Sequence, residues 1–367
     1  MKRALTVLLL ASLTLAQDDD PIDRARAMLG TDRHAEGVKE LNRIRAQHEA
    51  AAKEHPEKAD HAFTIGLVHF YLENDAEALA HLKRAAQLDP KRAHYRFMIG
   101  VVLQYSDPDE AVPWMREAIK LDAGNARYHY GLGRLLVHLR REKEAATSFR
   151  SAIRAKPGYA DAHYSLGILL TADDPNAALE HFEKTIKAAP RHVDAQYNAA
   201  QLHYNARRFE KALALWKTVD GIAEGSFGVT KKIVQALYAL ERYDAAVPFR
   251  KKLFELRSEA ENPKLKSLKE FCFDQFDAGE YRVYAYETFD KKGDLYYHYT
   301  FKVLNKAGKI VRTVNLESSA VIREFGVPYL LGMNEGLVHS QLGYQWKELP
   351  TYDKLKPIVV KEVTKKR

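Results

Sequence analysis

Small residues return through this chain at a step of 33 or 34, and that step constrains the fold more than any other feature. Gly66, Gly100, Gly133, Gly167 and Ala200 lie 34, 33, 34 and 33 residues apart. Eleven or twelve residues after each stands an alanine: Ala78, Ala111, Ala145, Ala178 and Ala212. Four further on comes a large apolar residue: Leu82, Met115, Phe149, Phe182 or Trp216. Pro90, Pro157 and Pro190 close three of the units. A chain that repeats itself at such a period is a stack of like supersecondary units, and each buries its apolar faces only against its neighbours.

The apolar spacing inside one period reads as two antiparallel helices. Residues 93–105 carry Phe97, Ile99 and Val102 at helical intervals, and 110–121 return with Met115 and Ala118. Gly100 and Ala111 have almost no side chain, so the two helices can approach closely where they cross. The shorter units hold Ser106-Asp107-Pro108 and Asp173-Asp174-Pro175 between their helices. Aspartate is a good N-cap and proline a good first helical residue, so one residue is lost from the turn without breaking either helix.

On these residues the chain resembles the tetratricopeptide repeat, a helix–turn–helix unit of about 34 residues. The unit with Leu132, Gly133, Leu136, Ala145, Phe149, Ala152 and Pro157 matches closely. So does the one with Ile65, Gly66, His69, Ala78, Leu82, Ala85 and Pro90. His129 and His163 depart from the pattern, where the family has an aromatic or other large residue. The resemblance implies an α-helical solenoid, a right-handed superhelix whose first helices line a concave groove. It assigns to that groove Phe63, Phe97, Tyr130, Tyr164 and Tyr197, then Phe70, Tyr71, Tyr105, Arg134, His138, Gln201, Tyr204 and Asn205. Rigid aromatic rings on a concave wall suit a protein or peptide ligand. Modules of the family that clamp a chaperone's terminal carboxylate use lysine and asparagine there. This chain has aromatics at the first position and Leu67, Val101, Arg134, Ile168 and Gln201 at the second, so that activity is not implied.

The flanks read as end units, which solenoids need to shield their exposed faces. Ala35-Glu36-Gly37 and Leu41 echo a return helix, and 243–249 echoes 109–114. The organisation expected is a signal peptide over 1–16, degenerate capping helices over 17–58, the solenoid over 59–262, and a β-rich domain over 263–367. The fold class is therefore α+β in separate domains.

Met1-Lys2-Arg3 is a basic start, residues 4–15 are apolar, and Thr14-Leu15-Ala16 ends in small residues before Gln17-Asp18-Asp19-Asp20. This is the pattern of an export signal cleaved near Ala16. It leads to an exported chain, periplasmic or secreted. The chain holds no Asn-X-Ser/Thr sequon, which favours a bacterial envelope. Its single cysteine, Cys272, excludes an intramolecular disulfide and reads as a buried, inert thiol.

After Asn262-Pro263 the periodicity changes. Residues 280–289 and 295–304 alternate, 310–316 follows, and Gly293 and Gly308 mark turns: an antiparallel meander. The segments 327–342 and 358–363 are read as further strands. From 263 onward there are 18 basic and 13 acidic residues, ending in Lys365, Lys366 and Arg367. Such a tail suits an anionic membrane or cell-wall surface. An exported chain points away from nucleic acid.

No phosphate-binding loop, nucleophile elbow, His-Glu-X-X-His or paired-cysteine site occurs in the sequence. The 15 histidines fall mostly in equivalent repeat positions and read as packing residues. Asp294, His298, Glu335 and His339 are the residues an acid–base site would draw on. No cofactor, metal or catalytic residue is expected. The function expected is an exported, non-enzymatic scaffold binding a protein or peptide in its groove. The alternative is that the C-terminal β domain is a small enzyme or a carbohydrate- or cell-wall-binding module recruited by the repeats.

Overall fold

The structure, a computed structural model, describes residues 21–223, 225–268, 270–288, 299–317, 338–340, 345–346 and 352–364. The expected signal segment, its cleavage point and the last three basic residues lie outside the described residues. So do Asp294, His298 and Glu335. The fold class is as expected: a helical repeat solenoid followed by an antiparallel sheet. Contacts divide the chain at 188/189 into two units.

In the first unit α1 (Pro21–Met28) and α2 (His34–Glu54) precede four hairpins. These are α3 (Ala59–Tyr71) with α4 (Asp75–Leu88), and α5 (Ala93–Ser106) with α6 (Pro108–Leu121). Then come α7 (Ala126–His138) with α8 (Glu142–Ala155), and α9 (Ala160–Leu170) with α10 (Pro175–Ala188). The glycine of each first helix abuts the large residue of its return helix. A Cβ added at Gly66 would lie 2.8 Å from Leu82, at Gly100 2.6 Å from Met115, at Gly133 2.5 Å from Phe149, and at Gly167 2.8 Å from Phe182. The alanine one turn before each large residue is fully buried. The 33-residue step is thus a repeated crossing point of two helices, with one apolar core continuous from Ile22 to Leu166.

Two turn types explain the two step lengths. After α3 and α7 the chain passes through a left-handed residue, Glu73 (φ 62°) or Arg140 (φ 59°). The amides of Glu73 and Asn74 reach back to Phe70 and His69, and those of Arg140 and Arg141 to Val137 and Leu136, closing a paired C-terminal cap each time. After α5 and α9 the aspartate–proline device replaces it. Asp107 accepts the Glu110 amide at 2.9 Å, and Asp174 accepts the Ala177 amide at 3.0 Å.

A third device ties each first helix to the loop before it. Arg96 donates to the Pro90 carbonyl at 2.7 Å, His129 Nε2 meets that of Ala123 at 2.9 Å, and His163 Nε2 that of Pro157 at 2.9 Å. The two histidines that depart from the family pattern perform the same task.

The second unit continues the device, Gln196 donating to Pro190. It contains α11 (Val193–Asn205) with α12 (Phe209–Ile222), α13 (Phe227–Ala239) with α14 (Tyr243–Ser258), and the short α15 (Pro263–Lys266). The left-handed turn recurs at Arg207 and Glu241. The sheet runs β1 (Glu270–Ala278), β2 (Tyr281–Thr288), β3 (Tyr299–Leu304), β4 (Ile310–Glu317), β5 (Val338–Ser340) and β6 (Gln345–Trp346), paired antiparallel in sequence order. A last helix, α16 (Tyr352–Thr364), follows.

The sequence reading differs here in two places. Strand β1 was not anticipated, because a bulge between Cys272 and Asp274 turns both Phe273 and Asp274 inward and breaks the alternation. Residues 358–363 are helical, not a strand. Tyr352, Val359 and Val363 are buried at helical spacing, and the run Ile358-Val359-Val360 imitates a strand only locally. Rings of Tyr238, Phe273 and Tyr352 meet at 4.8–5.1 Å where α13, β1 and α16 converge.

Candidate functional site

The position-linked aromatics of the first helices form a packed ladder in the first unit. Phe63 lies 4.9 Å from the Tyr95 ring, Phe97 4.8 Å from Tyr128, and Tyr130 5.1 Å from Tyr159. Each ring stacks on an aromatic of the following unit, so much of the ladder is consumed in joining units. Phe97 and Tyr130 are 1% and 6% exposed. A Cβ at Gly131 would fall 2.7 Å from the Phe97 ring, so only glycine leaves room for it.

The remaining expected groove residues separate by exposure. Phe70 and Tyr71 are buried, and Arg26 of α1 lies over the Tyr71 ring at 5.9 Å. Phe63, Arg134 and Tyr164 are half-buried, while Tyr105 and His138 are exposed. In the second unit Tyr204 is buried against Trp216 and Phe209, Tyr197 and Gln201 are half-buried, and Asn205 is exposed.

Each unit holds a hollow lined by aromatic and charged side chains. In the first, the N-terminal ends of α3, α5 and α7 border a recess of about 890 Å³. Its apolar lining includes Ile22, Phe63, Leu67, Tyr95 and Tyr128, and Leu121 stands 44% exposed at its edge. Lys91, Arg92, Arg127 and Lys156 line it too, with Asp23, Asp60 and Asp122. Asp60 accepts the Tyr95 hydroxyl at 2.5 Å; burial first, and then that carboxylate, raises the phenol's pKa. Burial also pushes the Tyr128 phenol up to about 12. His94 sits at the same place. Burial and then the charges of Arg92 and Arg127 hold its imidazole down to about 4, so it is neutral at physiological pH.

Of the expected site residues only Phe63 lines this recess. Tyr95, Tyr128 and the basic residues around them were missed. Tyr95 and Tyr128 are 33 residues apart, so the repeat step itself carried the signal.

The second hollow, about 560 Å³, is bordered by Tyr204, Asn205, Phe209 and Phe276 with Arg207, Arg282 and Lys356. Its charges are paired internally: Asp277 accepts from Arg207 at 2.8 Å and from Arg282 at 3.2 Å. Lys356 reaches the buried Asp274 at 3.0 Å, which also accepts the Tyr352 hydroxyl at 2.7 Å. The Cys272 thiol donates to the Asp274 carbonyl oxygen, and burial pushes it up to about 12, the behaviour of an inert thiol. Among the described residues no group of three histidine, cysteine or acidic side chains is placed to hold a metal ion.

Models of the tetratricopeptide repeat match residues 102–160 and 169–226. The C-terminal region is matched by no family. No curated protein matches the chain. Several solved structures are similar to part of it. One is pilF of Pseudomonas aeruginosa, at 23% identity over 55% of this chain and 93% of that one, with a TM-score of 0.46. YrrB, described as a TPR protein with an unusual peptide-binding site, has 24% identity over 53% of this chain and 97% of that one, with a TM-score of 0.42. MamA from Desulfovibrio magneticus RS-1 has 18% identity over 47% and 98%, with a TM-score of 0.41.

Proposed function

The chain carries tetratricopeptide repeats, and on that premise we propose that it is a non-enzymatic scaffold whose first helices hold a protein or peptide partner. One observation carries the reading: the recess bordered by α3, α5 and α7 joins apolar and aromatic side chains to a charged rim. Apolar anchors supply most of the free energy of such contacts, and charged rims set orientation and partner choice. Helices held by packed rings present that surface without reordering, which limits the entropic cost of binding. The basic start, apolar run and small-residue exit over 1–16 support export, and with it a partner met outside the cytoplasm.

A photo-crosslinking residue introduced in intact cells at Leu67, Leu121 or Lys187 tests both parts. Leu67 and Leu121 border the recess, whereas Lys187 is exposed on the return helix α10. A discrete crosslinked species from the first two positions and not from the third is expected. Equal yields at all three would remove the recess as the binding surface. N-terminal sequencing of the same material reads the export proposal: a mature chain beginning at Met1 refutes it.

A further inference from the structure

We infer that the hollow of the second unit binds an uncharged oligosaccharide. The inference is independent of the partner proposed for the first unit. The polar groups of this hollow stand on fixed elements. Asn205 ends α11, Phe209 begins α12, and Arg207 lies in the turn between them. Asp277 of β1 stands opposite Arg282 of β2 in the strand register. Arg207 Nη2 and Arg282 Nε each donate one bond to a different oxygen of Asp277, so both carboxylate oxygens keep a second acceptor position. Arg207 keeps further N–H donors beside them. Asn205 accepts from Gln201 at 2.8 Å, which leaves its own NH2 to give.

Open acceptors therefore stand next to open donors, and that mixture selects the ligand's chemistry. An anion only accepts, and the Asp277 carboxylate repels it; an ammonium only donates, and the Arg207 guanidinium repels it. A hydroxyl does both. A peptide backbone offers one donor and one acceptor per residue, whereas a pyranose offers both at nearly every ring carbon. The cations here are already matched: Asp277 serves Arg207 and Arg282, and the buried Asp274 holds Lys356 at 3.0 Å. The apolar part of the lining suits the C–H face of a sugar ring. Phe209 is half-buried and touches one ring, Tyr204, while Phe276 meets only the Lys356 ammonium at 4.9 Å among the described residues. A neighbouring hollow of about 370 Å³ shares Asp277 and Arg282 and repeats the pattern. Asn305 spends its carbonyl on the amides of Ala307 and Lys309 and keeps its NH2, and the half-buried Tyr281 ring meets no other ring among the described residues. Lys306 and Glu280 balance each other in charge there. Volumes of about 560 and 370 Å³ both suit small ligand groups, and their shared ion pair places two binding positions side by side, as a chain of sugars requires.

Calorimetric titration of the purified full chain tests this with three neutral probes, maltohexaose, cellohexaose and the N-acetylglucosamine hexamer. The hexamers of galacturonic acid and of glucosamine supply anionic and cationic counterparts. At least one neutral hexamer should bind with a Kd below about 1 mM, and both charged ones at least about tenfold more weakly. Salt should change the neutral affinity little. Asn205→Ala and Asp277→Ala, both at exposed positions, should each weaken the neutral ligand about tenfold. Asp277→Ala should also gain affinity for the galacturonic acid hexamer, because Arg207 and Arg282 lose their acid; an unfolded variant would not show this gain. Circular dichroism checks both variants. No binding of any neutral hexamer would overturn the inference. Unchanged affinity in both variants would overturn the placement of the site, and tighter binding of a charged hexamer by the unmodified chain would overturn the uncharged class. A photo-crosslinking residue at Asn205 that captures a protein in intact cells, with no hexamer bound in vitro, would assign the hollow to a peptide instead.

Discussion

At the scale of single residues, the histidines show how a repeat can depart from its family pattern and keep its geometry. His163 Nε2 donates to the Pro157 carbonyl at 2.9 Å, which leaves the lone pair on Nδ1. That nitrogen faces His181 Nδ1 at 2.9 Å, so His181 must be the donor. The His163 ring is therefore neutral in the fold, and a proton on it would set two donors against each other. Burial lowers the pKa of His163. Burial, and next the neighbouring His163, hold His181 down to about 4. The sign of the pH effect follows from the linkage of protonation to folding. Below the ordinary value of 6.5 the unfolded chain takes up protons that the folded pair refuses. The pair's contribution is complete above 6.5 and is lost as pH falls from there toward about 4. Urea unfolding midpoints across that range should decline with acidity. The slope should flatten in His181→Gln, whose amide still donates to His163 without titrating. Coincident slopes for the two proteins would show that the pair does not titrate on unfolding.

At the scale of an element, the unit of construction is a glycine facing a large residue across two helices. Most of this was legible in the sequence, because the spacing of Gly66, Gly100, Gly133 and Gly167 against Leu82, Met115, Phe149 and Phe182 is itself the contact. The turns were half legible. Asp107 and Asp174 cap as their type suggests, but Glu73 and Arg140 adopt left-handed backbone with no glycine to announce it. The groove was less legible still. Residue type placed aromatics on the first helices, yet Phe97 and Tyr130 turn into the stack, and periodicity alone does not separate a ring that joins two units from one that meets a ligand. The contact itself is testable at Gly133. A methyl group there would lie 2.5 Å from the Phe149 ring. Overpacking of this kind costs about 1–3 kcal/mol, and alanine's helix preference returns about 1 kcal/mol. Gly133→Ala should therefore lose up to about 2 kcal/mol. Gly158→Ala, where a Cβ meets nothing within 4 Å, should be neutral or slightly stabilising. Amide exchange in α7 and α8 is the appropriate measurement, since a repeat array opens locally before it unfolds globally. Equal exchange in the two variants would mean that the close crossing is not a structural requirement.

At the scale of the molecule, the change of periodicity at 262/263 marks where helices give way to strands, but the apolar interior does not stop there. Gln235 of α13 donates to the Cys272 carbonyl at 2.9 Å, and Arg257 of α14 donates to that of Leu268 at 2.8 Å. The Tyr238 ring, 1% exposed, is covered by Phe273 and Tyr352. Sequence periodicity registers a change of element type and has no means of registering a shared core, which is why the last hairpin and the sheet read as separate. The buried Asp274 explains why the partnership needs the chain's last helix as well. Its carboxylate takes the Tyr352 hydroxyl and the Lys356 ammonium, and a buried charge stripped of such partners costs several kcal/mol. A chain stopped after residue 262 should therefore keep the protection of α3–α8, whose core runs from Ile22 to Leu166 without the sheet, and lose that of α13 and α14. Hydrogen exchange resolved by helix reads this directly: amides of α13 should approach the exchange rates of an unfolded segment in the truncated chain. Full protection of α13 without the sheet would show that the hairpin is stable by itself and that the shared interior is not what holds it.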